Sequence, residues 1–139
     1  MMAMEKLVQW LKTFPLWNDQ KIYMDGLAAA PENTGLYPGG LEEISRCEDV
    51  LGNVTVRCRL HFILYRRTFG QQDNLENSAW LLQFQNWVQE QSAAGLAPVF
   101  GDDAKKEHIR AEHGKLHPAD QTGTGKYAVD ITAEFEKHY

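Results

Sequence analysis

Residues 108–117 read HIRAEHGKLH and gather His108, His113 and His117 around Glu112. Imidazole nitrogens and a carboxylate are the ligands zinc takes, and histidines four apart on a helix beside an acid would hold one ion. His113 and His117 have that spacing, but neither HExxH nor HxxEH is present. On a strand the two would share a face about 13 Å apart, too far for one ion unless the backbone turns sharply. They read as surface or loop histidines. GTGK, Gly123 to Lys126, raises a phosphate loop, but that pattern needs glycine where Asp120 stands and Ser or Thr where Tyr127 stands. It also needs a following helix whose amides face the phosphate, and here a strand pattern follows. Cys58, His61 and Asp49 suggest a thiol nucleophile, yet Cys58 and His61 have opposite parity on one strand and point to opposite faces. Ser45 and Ser78 have no Gly-x-Ser-x-Gly setting. Arg57, Arg59, Arg66 and Arg67 with Tyr65 make a basic strand whose charge is offset by Glu42, Glu43, Glu48 and Asp49. Solvated ion pairs fit this better than a nucleic-acid groove, which needs a net basic face. No active site assembles, so no catalytic residue, cofactor or metal is expected and the chain reads as a non-enzyme.

Composition sets the frame for the elements. The 139 residues fit one domain, 1–139, long enough to bury a core without staples. The net charge of -5 gives no overall basic field to attract nucleic acid or an anionic membrane. No apolar run approaches the roughly 20 residues that span a bilayer. The start, MMAMEKLVQW, lacks a signal-peptide layout because Glu5, Lys6 and Gln9 interrupt its apolar positions. Cys47 and Cys58 form neither a CxxC motif nor a disulfide framework, so a cytoplasmic, reduced protein is expected.

Leu7, Trp10, Leu11 and Phe14 form one helical stripe that Pro15 should end. A brief strand is expected at 21–25. The glycines and prolines of 26–40 read as a long loop without regular structure. Two strand runs then flank Gly52-Asn53, a two-residue hairpin signal that would place Cys47 opposite Cys58 and Glu48 opposite Arg57. The cysteines then read as two small buried thiols. The second run, 53–68, would reach about 50 Å against a usual 17–20 Å, so it must bend or project. Val54, Val56, Cys58, Leu60, Phe62 and Leu64 give it a core face, while Ile63 and Tyr65 add apolar surface to the other. A strand apolar on both faces needs cover on both, and a second subunit would supply it.

Residues 73–94 predict a helix, with Asp73 and Glu76 as a capping box and Trp80, Leu81, Phe84, Trp87 and Val88 on the packing arc. Leu75, Ala79 and Leu82 make a weaker stripe opposite. His108 to Leu116 alternates loosely, and Tyr127, Val129, Ile131, Ala133 and Phe135 alternate strictly with Ala128, Asp130, Thr132, Glu134 and Glu136. These two strands form a second hairpin. The expected fold is α+β: an antiparallel sheet of two hairpins plus a short strand, two helices on one face, order α-β-β-β-α-β-β.

LVQWLKTF, the YPGG-containing loop, NVTVRCRLHFILYRR, NLENSAWLLQFQNWV and KYAVDITAEFEKHY, in that order, resemble the tail terminator or tail-completion proteins of long-tailed bacteriophages and prophages, often labelled minor capsid or neck proteins. The resemblance implies a structural virion assembly protein. Family members form a ring, typically of six copies, on the end of the tail tube, stop its growth and join it to the head-side connector. Implied partners are further copies of the chain, the major tail-tube protein and a head-completion or connector protein, with no nucleic acid or membrane. The implied location is the virion tail or neck, assembled in the bacterial host cytoplasm. No residue motif defines the contacts; Tyr37, Ile63, Tyr65, Leu75 and Leu82 are the candidate subunit-interface residues. The alternatives are another head–tail connector or minor capsid protein, or a small acetyltransferase. The latter uses HHxxxDG, which His117 to Asp120, HPAD, matches in neither spacing nor histidine pair.

Overall fold

The computed structural model describes residues 3–17, 22–24, 34–69, 74–117 and 124–139. Helix α1 (Ala3–Leu11) buries Leu7, Trp10 and Leu11, and Phe14 continues the stripe beyond its end. Strands β1 (Ile22–Met24), β2 (Thr34–Glu48) and β3 (Val54–Phe69) precede helix α2 (Asn74–Ala93). A 3-10 turn (Ala104–Lys106) then leads into β4 (His108–His117) and β5 (Thr124–His138). The element order and the α+β class are those the sequence predicts. In space the strands run β1-β2-β3-β5-β4. The pairs β2–β3, β3–β5 and β4–β5 are antiparallel, while the three-residue β1 joins β2 in parallel.

The strict alternation of β5 has its cause in this order. It lies between β3 and β4, so its backbone is paired on both sides. Val129, Ile131, Ala133 and Phe135 meet Leu64, Phe62, Leu60 and Cys58 across the β3 pairing. This is the core face, and both helices cover it: the helical Leu7, Leu11, Leu81, Phe84 and Val88 share one buried cluster with these strand residues. Aromatic packing joins the helices. Trp10 stacks on Trp87 at 4.8 Å, and the fully buried Phe84 meets Phe14 edge-on at 5.4 Å and Trp80 face-on at 5.3 Å. Arg66 closes this end, its guanidinium 4.3 Å from the Trp80 ring, a cation–π contact.

Helix α2 approaches the sheet closely where β4 bulges between Glu112 and Lys115. His113 adopts φ 58, and a Cβ on Gly114 would meet Leu81 Cδ2 at 2.7 Å. Gln85 donates to the Ala111 carbonyl at 3.1 Å beside it.

Two local readings are corrected. Residues 34–40 are not loop: they are the first part of β2, which absorbs Pro38-Gly39-Gly40 in a bulge. Glycine is required there, since a Cβ on Gly39 would lie 2.8 Å from the His61 Cβ and Gly40 takes φ +100. The hairpin loop is 49–53, not two residues, because the Asp49 carboxylate accepts from the Leu51 amide (2.9 Å), the Asn53 amide (2.9 Å) and the Asn53 side chain (3.0 Å). Such an Asx arrangement competes with the shorter turn. With a second bulge between Glu43 and Ser45, Cys47 faces Thr55 and Cys58 faces Glu43. Cys47 is therefore an exposed thiol rather than a buried one, and only Cys58 is buried. The overlong β3 is paired with β5 from Thr55 to Phe69. The expected cap at Asp73 lies outside the described residues.

Candidate subunit interface

The odd-numbered residues of β3 and the even-numbered residues of β5 point away from the helices, and the register brings two different surfaces together there. At one end Tyr37 pairs with Ile63, and the Tyr37 and Tyr65 rings meet edge-on at 5.3 Å. This is an aromatic–aliphatic patch of half-buried side chains on a face that no helix covers among the described residues.

The rest of the face is a charge lattice centred on Glu134, which is only 9% exposed. Arg59 Nη2 donates to it at 2.9 Å, Arg110 Nη1 reaches it at 3.3 Å, and His108 Nε2 also contacts it. Burial pushes the Glu134 carboxyl up, but the Arg59 hydrogen bond and the charges of His108 and Arg110 outweigh burial and hold it below the usual glutamate value. Next to it, His61 Nε2 lies 3.1 Å from Glu42, and Arg59 reaches the same oxygen at 3.6 Å. The His61 hydrogen bond leads the lowering of the Glu42 carboxyl; burial opposes it, and the Arg59 charge adds to the lowering. Arg57 and Lys106 both approach Glu136. Acids and bases nearly balance, so the lattice offers a partner matched charges, not an anion-binding groove.

The β2 edge adds backbone. Its parallel partner β1 covers only Thr34 to Leu36, and beyond Leu36 no described strand flanks the outer side of β2. An open edge of this kind pairs readily with another chain.

Of the predicted interface residues, Tyr37, Ile63 and Tyr65 come together. Leu82 is 67% exposed but sits on α2, across the sheet from them. The Leu75 side chain lies outside the described residues, as does that of His117. Cys58 and His61 do point to opposite faces, and no group of three metal-binding side chains occurs among the described residues. Sequence reading missed Val50 and Leu51 at the tip of the β2–β3 hairpin, where Val50 is completely exposed and Leu51 is 83% exposed. Two aliphatic residues inside the turn segment EDVLGN were the available signal, since turns favour polar residues.

No protein-family model matches the chain. No curated protein matches it in sequence. Among the solved chains it is similar to is one that bears only a serial designation, at 11% identity and a TM-score of 0.47, over 94% of this chain and 87% of that one. A likeness at this level carries no functional argument.

Proposed function

We propose that the chain is a non-catalytic assembly protein that works as a ring of identical copies, on the pattern of phage and prophage tail terminators. The observation that carries this reading is the sheet's uncovered face, with the Tyr37–Ile63–Tyr65 patch at one end and the open β2 edge beside it. Apolar surface and unpaired strand edge are both stabilised by a neighbouring copy. The lattice around Glu134 supports the same reading, because charged groups held in place by one another give register and specificity to a contact. In this role the ring, of six copies, ends the tail tube and meets the head-side connector, in the virion neck after assembly in the bacterial cytoplasm.

Light scattering and negative-stain microscopy of the purified chain, alone and with its tail-tube protein, test the proposal. Rings that bind tube ends are expected; a persistent monomer that never caps a tube refutes it. A different head–tail connector would form rings that bind the head side and ignore tube ends. Acetyl transfer would release coenzyme A from acetyl-coenzyme A and be abolished by His117→Ala; no release is expected.

A further inference from the structure

The hairpin tip is a stiff apolar prong. Besides the three hydrogen bonds to the Asp49 carboxylate, the Asp49 amide donates to the Asn53 carbonyl at 2.9 Å and the Gly52 amide donates to the Asp49 carbonyl at 3.1 Å. Gly52, at φ +86, closes the turn without a Cβ. These bonds fix the backbone under Val50 and Leu51 while their side chains stand in solvent. A mobile tip would hide such residues against the sheet; this one is held in a shape that presents them, which lowers the entropic cost of binding.

At the same end of the sheet, but on the helix side by β4, lies an apolar crevice of about 250 Å3. Ala97, Pro98, Val99, Phe100, Ile109 and Ala133 supply most of its apolar lining. It is a built feature. The Glu107 carboxylate accepts from the Phe100 amide at 2.7 Å and the Gly101 amide at 3.0 Å, and Asp102 N donates to the Glu136 carbonyl at 2.8 Å. Leu96, next in sequence to the lining residues Gly95 and Ala97, is 64% exposed.

The two features match in apolar character and charge. The isopropyl and isobutyl groups of Val50 and Leu51 are apolar, as is most of the crevice lining. Exposed Glu48 and Asp49 flank the prong. Lys105 lines the crevice, and the Lys6 ammonium sits 2.8 Å from the Val99 carbonyl on its rim. Among the described residues neither lysine has a carboxylate within 4.0 Å.

We infer that the Val50–Leu51 prong of one copy seats in the crevice of the next, with Glu48 and Asp49 facing Lys105 and Lys6. The prong cannot enter its own crevice, because β5 separates β3 from the β4 side where the crevice lies. The contact therefore joins two different patches, the heterologous geometry that generates rings when its rotation closes. This inference rests on the ring reading above and names the contact that builds it.

Sedimentation velocity on wild type, Leu51→Asp, Val99→Asp and an equimolar mixture of the two variants tests it. Each variant retains one intact half of the contact, so each alone is monomeric and the mixture stops at dimers, while wild type forms rings. Burying one such side chain is worth about tenfold or more in affinity, so Leu51→Ser, which leaves the turn bonds intact, also weakens assembly at least about tenfold. Rings that persist in Leu51→Asp overturn this contact and leave the ring proposal standing; a wild type that stays monomeric overturns both. In case a variant fails to fold, Val50→Cys with Val99→Cys in a Cys47→Ser background is oxidised. A ladder of intermolecular disulfides supports the contact, and a ladder-free gel from a ring-forming preparation overturns it.

Discussion

Glu134→Gln isolates the charge lattice with little change of shape. The native carboxylate is nearly buried and faces Arg59, Arg110 and His108, so the substitution leaves cationic side chains packed against a neutral amide. An exposed pair is worth about 0.2–1 kcal/mol and breaking a fully buried one costs about 3–5 kcal/mol. Glu134 is buried but its arginine partners are partly solvated, which places the expected loss at about 1–2 kcal/mol near pH 7. The pH dependence follows from the direction of the shift. The folded Glu134 carboxyl lies below its ordinary value of 4.5, so the folded chain holds fewer protons than the unfolded one in that range. Stability then rises with pH: the contribution is complete above the ordinary value and is lost as pH falls through the depressed one. Urea unfolding followed by tryptophan fluorescence, at intervals from pH 7 down to the acid limb, measures both effects. The variant should be weaker at neutral pH and should converge with wild type in acid. Equal stability at pH 7, or a gap that does not narrow on acidification, refutes the reasoning.

Further outcomes are expected elsewhere. Phe84→Ala empties the centre of the aromatic cluster and should cost about 3–5 kcal/mol by urea denaturation. Gly101→Ala should lower stability by about 1–3 kcal/mol in the same assay, because its Cβ would collide with the Glu136 backbone carbonyl, which cannot swing away as a side chain could. A thiol reagent should modify one cysteine per folded monomer, the exposed Cys47, and reach Cys58 only in denaturant. A second fast thiol in the native chain would contradict the placement of Cys58 in the core.

The parts of the fold that follow from periodicity were legible. The alternation of Val54 to Leu64 and of Val129 to Phe135 named the core face, because burial on one side of a strand leaves a period of two. The arc from Trp80 to Val88 named the packing side of α2 for the same reason at a period of 3.6. Register was not legible. Each bulge shifts the pairing by one residue, and the bulges at Gly39 and Ile44 leave only glycines and an ordinary aliphatic as their mark. The parallel seating of β1 rests on three residues, too few for a pattern. The candidate surface was half legible: parity placed Ile63 and Tyr65 together, whereas the pairing of Tyr37 with Ile63 depends on the strand hidden inside the Gly- and Pro-rich segment.

The place of β5 between β3 and β4 sets a timetable for folding. Both of its neighbours, β3 and β4, are synthesised earlier, yet β4 reaches the rest of the sheet only through β5. A nascent chain that has emerged as far as His117 can pair β2 with β3, but its fourth strand and α2 have an incomplete platform to settle on. Until residues 124–138 leave the ribosome, the hydrophobic side of β3 is available to any passing chain, and premature self-association competes with closure of the sheet. Holding the chain on the ribosome with β3 exposed and residues 124–138 still inside the exit tunnel should therefore reduce soluble yield.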